Sequence, residues 1–348
     1  MANPRWKLRP KGSNWGAFGP DDQKGRLNLL TPARVKRAIA EVQEGITFCL
    51  SLPLDYPGTD KLGSFRQPPR ISPTSFGGRP YMNFPIGIDR PGHLDVFCDD
   101  KVEICLQYST QWDSLAHVGQ LFDADGDGEP EIVYYNGYRA GEHIQGPVDY
   151  LSEDKTEQAG AFGAKALGIE NMAAACIQGR GVMIDFEAHY GREHTLVGFD
   201  DLRRIMDADG IMVEEGDLVC IRTGTAKMIL EMNKNPDNDL LRHSCAKLDG
   251  RDENLLDWVT ESGIVAIICD NIAVEASPSR PCSGPECTLL PLHAHCLFKL
   301  GVYLGEMWDL TDLADWLRAH QRSRFLLTAP PLRLPGAVGS PVTPVATV

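Results

Sequence analysis

Two stretches of the chain carry side chains that could do chemistry together. The first is Gln107-Tyr-Ser-Thr-Gln111-Trp-Asp113-Ser-Leu-Ala-His117. Residues two apart on a strand share a face, so a strand through this run would point Gln107, Ser109, Gln111 and Asp113 the same way. Polar side chains on one face of an apolar strand are costly unless something satisfies them. Water is one answer and a cation is another. Asp113 offers an anionic oxygen and the glutamine carbonyls add neutral ones, a donor set that suits a hard divalent ion. His117, four residues on, would lie near the same opening. A solvent-facing polar strand explains the same spacing, and spacing alone does not separate the two.

The second stretch is Leu292-His293-Ala-His295 followed by CLFKLGVYLGEMWDL. His293 and His295 cannot face the same way on a helix, so at most one of them is a ligand. Glu306 falls inside an otherwise apolar strand. A buried carboxylate is almost never left alone, because an unpaired buried charge costs several kcal/mol. A metal or an arginine must neutralise it, and Glu306 alone does not say which.

Weaker candidates surround these. DADGDGEPE resembles a calcium loop at Asp123, Asp125, Asp127 and Gly128, but Tyr134 stands where the bidentate Glu belongs and Pro130 interrupts it; a solvated acidic turn fits as well. IDFEAHYGREH carries Asp185, Glu187, His189 and His194 behind a predicted strand, and reads as a loop over the site. Gln107, Trp112, Asn136, Tyr138, His189, His194 and Arg222 are the candidates for substrate contact. Asp270 and Asn271 end the run IVAIICD, and polar residues at the C-terminal end of a strand often line clefts. Arg222 could instead pair with a carboxylate in a purely structural role.

The elements that must position these groups are legible in outline. Thr31 and Pro32 open a capped helix over TPARVKRAIAEVQEG. Residues 45–56 read as a strand, and 57–92 as a long Pro/Gly/Ser-rich loop. VEICLQYST, residues 102–110, reads as a strand leading into the first chemical stretch. GVMIDF, DLVCIRTGT and IVAIICD are short apolar runs of the kind buried strands show. FDDLRRIMDADG and DENLLDWVTE carry helical spacing and stop near Gly210 and Gly263. HAHCLFKLG reads as a helix, VYLGEMWDL as a strand and DLADWLRAH as an amphipathic helix. The order predicts one mixed α/β domain with long loops, bounded by an arm over residues 1–30 and a Pro-rich tail over 329–348, with the domain proper at 31–328.

Bulk composition narrows the function. The chain has 348 residues, 48 of them acidic against 34 basic, for a net charge of −14. Such a surface repels phosphate backbones, so nucleic acid is excluded as an expected partner. No apolar run reaches the roughly 20 residues of a membrane helix, and the basic N-terminus lacks the apolar stretch of a signal peptide. The ten cysteines are scattered, several in apolar runs, which suits a reducing, cytoplasmic setting better than a disulfide framework. Cys282 and Cys287 lie in a Pro/Gly stretch without the repeated spacing of a zinc site.

WGAFGPDDQKGRLNLLTPARVKRA, RGVMIDF, GDLVCIRTGT and LHAHCLFKLGVYLGEMWDL occur in the order found in the cyclase family, and the chain resembles its long forms from about Trp15 to Leu317. The family's smaller members are metal-dependent hydrolases of the kynurenine formamidase and isatin hydrolase kind. The resemblance implies a single mixed-sheet domain of the swivelling β/β/α-like type. It also implies a metal site built on His-x-Gly-Thr-His-x-Asp-x-x-x-His with a downstream His and Glu. Laid on this sequence, Asp113 matches the metal-binding Asp, His117 the catalytic His, and His293 and Glu306 the downstream ligands. Gln107 and Gln111 stand where the motif has histidines, and Ser109 replaces its Gly. Loss of two imidazoles removes or badly weakens one position of a two-metal site. The implied set is therefore one divalent cation, Mn²⁺ or Zn²⁺ with Mg²⁺ as a further candidate, on Asp113, His293, Glu306 and Gln111. The implied reaction is hydrolysis of an amide, lactam or lactone by metal-activated water with His117 as general acid/base. A lyase or cyclase acting through an enolate, and a binding protein that has lost catalysis, are the alternatives. Small-molecule substrates and homodimers or larger homo-oligomers complete the implied picture.

Overall fold

Four apolar runs, QGRGVMID, LVCIR, AIIC and YLGE, form the parallel centre of the molecule. In the computed structural model, which describes residues 5–58, 65–152, 162–282, 284 and 287–348, they belong to a nine-stranded mixed sheet. Its strands in chain order are β1 (Thr47–Cys49), β2 (Gln111–Asp113), β3 (Gln178–Asp185), β4 (Leu218–Arg222), β5 (Ala266–Cys269), β6 (Tyr303–Glu306), β7 (Arg324–Thr328), β8 (Gly339–Pro341) and β9 (Val345–Thr347). The spatial order is β1-β9-β7-β3-β4-β5-β6-β2-β8. Strands β3 to β6 run parallel, and nearly all of their residues are buried. Burial on both faces is why these runs read as continuous rather than alternating.

Parallel neighbours need crossovers, and helices supply them. α1 (Pro32–Ile39) is capped by Thr31, whose hydroxyl accepts from the Arg34 amide. α2 (Phe199–Ala208) lies between β3 and β4. α3 (Glu253–Ser262) starts at Asp252, whose carboxylate accepts from the Leu255 amide, and ends at Gly263 with φ 69°. A helical segment, Pro291–His293 continuing as a π-helix over Ala294–Leu300, leads into β6, and α4 (Thr311–Ala319) follows it. The result is the single mixed α/β domain expected.

The structure departs from the expected picture in four places. VEICLQYST is not one strand: Asp100–Glu103 pairs with Arg70–Pro73 in an exposed ribbon, and residues 104–110 turn before β2 begins. Gln107 and Ser109 therefore do not share a strand face with Gln111 and Asp113. The Pro-rich C-terminal segment is woven into the sheet, with β8 pairing β2 and β9 pairing both β1 and β7. Its prolines sit at sheet margins and turns, where a missing N–H costs little. The N-terminal segment is pinned as well. The Trp15 indole donates to the Phe298 carbonyl at 2.8 Å, and Arg26 donates to the carbonyls of Val259, Thr260 and Ile264. Gly25 meets Gly301 backbone to backbone, and a Cβ there would collide. Cys282 and Cys287, expected free, form a disulfide.

Candidate metal centre

β2 lies between β6 and β8, with Gln111 opposite Glu306 and Trp112 opposite Gly305. The two-residue period puts Gln111 and Asp113 on one face and Trp112 on the other. Trp112 packs edge-on to Trp308 at 4.9 Å and donates to the Ala329 carbonyl at 2.8 Å. Trp308 in turn donates to the Gln111 carbonyl at 3.0 Å. Gly305 permits this packing, since a Cβ would lie 3.1 Å from the Trp112 ring. The two tryptophans thus fix the strand whose other face carries the chemistry.

On that face Asp113, His293 and Glu306 converge, each offering a ligand atom within 4.8 Å of the others. All three are buried, Asp113 completely. The Gln111 amide donates to Glu306 at 3.0 Å and lies 3.5 Å from Asp113. Gln111 Oε1 and Asp113 Oδ2 are buried without a partner among the described residues. An orphaned amide oxygen and an orphaned Asp113 oxygen beside the Glu306 carboxylate and an imidazole are what a divalent cation's donor set looks like. The arginine expected as the alternative neutraliser is absent: among the described residues Glu306 pairs with His293 Nε2 at 3.2 Å and accepts from the Val274 amide at 3.1 Å.

Electrostatics agree with the geometry. Burial pushes Asp113 up to about 6, with His117 and His293 opposing and Glu306 reinforcing the rise. Burial would lower His293, but hydrogen bonds to Glu275 and Glu306 outweigh it and raise it to about 10. Burial would raise Glu306, yet its hydrogen bond to His293 leaves it below its ordinary value. Two carboxylates sharing one small volume favour a positive charge between them. His117 stands at the edge: its Nε2 is 3.8 Å from Asp113 Oδ1 and its side chain is 22% exposed, against 0% for Asp113. It is the group with access to solvent.

Glu275 was not singled out from sequence, although VEASP places an acid directly after an apolar strand and turn. It is 1% exposed and holds the His293 ring through Nδ1 at 2.8 Å. The amides of His293 and Leu292 donate to its two oxygens at 2.8 and 3.1 Å. Such a carboxylate fixes which ring nitrogen faces the ligand set, and removing it typically costs about 10–100-fold in metal affinity. Glu275→Gln is expected to weaken Mn²⁺ binding within that range in equilibrium dialysis while the fold survives. An unchanged affinity would remove Glu275 from the site.

His295 points elsewhere, as the helical spacing required. Its Nε2 meets Thr260 Oγ1 at 2.8 Å, and burial lowers it from 6.5 to about 4. Below pH 6.5 the unfolded chain takes a proton that the folded chain refuses, so stability falls as pH drops towards 4. At about 1.36 kcal/mol per pH unit the loss approaches about 3 kcal/mol. His295→Gln should flatten that limb in urea-unfolding free energies measured from pH 7 to pH 4.

The remaining candidates are engaged outside this cluster. Trp112 is core, as above. Asn136, fully buried, accepts from the Gly16 amide and donates to the carbonyls of Gly19, Pro20 and Asp22, so it anchors the N-terminal segment. Tyr138 donates to the Asp21 carbonyl and carries Arg5 over its ring. In all three the side-chain polar atoms are engaged within the fold. His189 bonds Asp209 at 2.9 Å. His194 is exposed as a residue, and partial desolvation of its ring, with Lys247 and His243 nearby, keeps it below its ordinary value. Arg222 is locked in ion pairs with Asp185, Glu187 and Asp315, the structural alternative foreseen for it. Gln107 packs its amide against Gly339, the residue opposite Asp113. In the acidic loop, Asp123, Asp125 and Glu131 also gather within 4.8 Å. There the Asp123 carboxylate accepts from the amides of Gly126, Asp127 and Gly128, and Arg139 holds Glu131.

A mixed α/β sheet carries a buried cluster of Asp113 and Glu306 from the adjacent strands β2 and β6 and His293 from the helical segment before β6. The Cyclase family profile, described as "Putative cyclase", matches residues 48–276, and a crystal structure described as a novel cyclase is 31% identical over 97% of both chains with a TM-score of 0.71. This chain belongs to the cyclase family. Isatin hydrolase A from Labrenzia aggregata shares the fold at 14% identity and a TM-score of 0.53, covering 89% of this chain and 94% of its own. Isatin hydrolase A from Ralstonia solanacearum does so at 16% and 0.52, covering 91% and 98%. No curated protein matches the chain in sequence. No helix among the described residues is long and apolar enough to cross a membrane.

Proposed function

We propose that the chain is a metal-dependent hydrolase of an amide, lactam or lactone bond in a small molecule. It belongs, on this reading, to the long-form branch of its family, with Gln107 and Gln111 in place of metal-binding histidines. The carrying observation is the convergence of Asp113, His293 and Glu306 within 4.8 Å beside the orphaned oxygens of Gln111 and Asp113. These four residues would hold one divalent cation, and a donor set with a single imidazole suits Mn²⁺, with Zn²⁺ or Mg²⁺ as substitutes. When bound, such an ion polarises a carbonyl and acidifies water. Glu275 orients His293, and Gln111 keeps its carbonyl oxygen free for a ligand. His117, partly exposed and outside the converging set, would take the proton from the attacking water and return it to the leaving group.

One feature favours a second reading, a binding protein without catalysis. The Gln111 amide and the His293 ring already compensate Glu306 from within the protein. Metal analysis after dialysis separates the two: a preparation that retains no Mn²⁺, Zn²⁺ or Mg²⁺ would sink the hydrolase. For a metal-loaded sample, a screen of amides, lactams and lactones in ¹⁸O-labelled water should place one label in the product acid. Turnover without label would identify the lyase or cyclase instead. Homo-oligomeric assembly is supported by the apolar exposure of the 65–103 arm, where Ile71, Leu94 and Val102 are 73%, 94% and 57% exposed. A cytoplasmic location is supported by eight free cysteines.

A further inference from the structure

A cavity of about 350 Å³ has Glu275, the carboxylate that holds the His293 ring, in its wall. One wall is apolar, formed by Leu241, Ile272 and Leu289, while Lys247, Arg242 and Asn271 bring the donors. Lys247 is unusual for this acidic chain. It is 8% exposed, and among the described residues its ammonium donates to the carbonyls of Arg242 and Ser244, at 3.2 and 2.6 Å. No carboxylate pairs with it among the described residues, and burial holds it below its ordinary value. An ammonium has three donors, so one remains for a ligand. Asn271 is 3% exposed. Its Oδ1 accepts from the Ile272 amide at 2.8 Å, which fixes the amide's orientation, and its Nδ2 is buried with no partner among the described residues. Glu275 also lines the cavity, but both its oxygens are engaged by Leu292 and His293.

A buried lysine without a carboxylate partner and a residue with an unpartnered amide donor, both in the wall of one half-apolar cavity among the described residues, are costly unless an anion completes them. We propose that this cavity binds a small organic carboxylate, its anion held by Lys247 and Asn271 and its apolar body by Leu241, Ile272 and Leu289. The site stands independently of the hydrolase reading, because none of the cation-binding residues contributes to it.

Phenylacetate, with phenylacetamide as its neutral match, tests this by calorimetry on Mn²⁺-loaded protein. Wild type should bind phenylacetate and discriminate against the amide by about tenfold or more, the worth of a charge-assisted hydrogen bond. Lys247→Met should lose a similar factor. Ala273→Phe, which fills the cavity and leaves the Lys247 contacts in place, should abolish binding and decides the matter should Lys247→Met not fold. Asp113→Asn should lose Mn²⁺ yet keep phenylacetate. Equal binding of acid and amide, wild-type affinity in Ala273→Phe, or loss of phenylacetate in Asp113→Asn would each overturn the assignment. Competitive inhibition by phenylacetate of an amide found in the hydrolysis screen marks the cavity as the anionic end of the substrate site. Binding without inhibition marks an effector site, and either result keeps the carboxylate.

Discussion

Asp113→Asn should leave a folded protein that no longer retains a divalent cation and that is more stable than wild type when both are metal-free. The substitution is nearly isosteric at a fully buried position, so the packing of β2 between β6 and β8 is preserved. What it removes is charge. Perturbing residues that merely orient ligands costs about 10–100-fold in metal affinity, so loss of an anionic ligand should cost at least the upper end of that range, read by dialysis against Mn²⁺. Stability moves the other way. Burial raises the Asp113 carboxyl from 3.8 to about 6, so its ionised form is held at a cost above that pH. The stability it contributes is complete below pH 3.8 and is lost as pH rises through 6. At about 1.36 kcal/mol per pH unit, removing the charge should return up to about 3 kcal/mol at pH 7 in chelator, measured by urea unfolding. The advantage should shrink as pH is lowered to 4. A variant that loses the cation and is also less stable would mean that Asp113 serves packing and not a ligand.

That trade of stability for charge explains why part of the site was legible in sequence and part was not. Asp113 and Glu306 stood out because a carboxylate in an apolar run must be answered by something. His293 was separable from His295 because helical spacing turns them apart, and the structure sends one to Glu306 and the other to Thr260. The parallel strands could be read because continuous apolar runs bounded by Gly and charge have few other uses. Glu275 escaped because it follows the strand by a turn whose course periodicity does not predict, and its role arises only when the helical segment at 291–300 folds back over it. The engagement of Asn136 and Tyr138 was hidden for a different reason. Their polar atoms serve the N-terminal segment, more than a hundred residues away in sequence, and no local pattern reports such a contact. The run 102–110 misled because β-branched and aromatic content marks a strand without marking where it turns. β8 and β9 were hidden by proline, which is excluded from strand interiors but tolerated at margins.

His117→Ala separates proton transfer from cation binding, and this distinction carries the catalytic claim. Its ring nitrogen sits 3.8 Å from Asp113 Oδ1, outside the atoms that converge within 4.8 Å as a group. It is also partly open to solvent, where a reacting molecule would arrive. Removing it should therefore change Mn²⁺ affinity by no more than a few-fold while turnover falls by about 10²–10⁴, the usual worth of a positioned general acid or base. The fall should be in kcat more than in KM, because a proton relay acts in the transition state and not in ground-state binding. Added imidazole should restore part of the rate, since the truncated side chain leaves space at the solvent-facing edge. If metal and activity disappear together, His117 is a ligand and the proton must be carried by another group. If neither changes, the partly exposed imidazole is a bystander and the cluster works, or fails to work, without it.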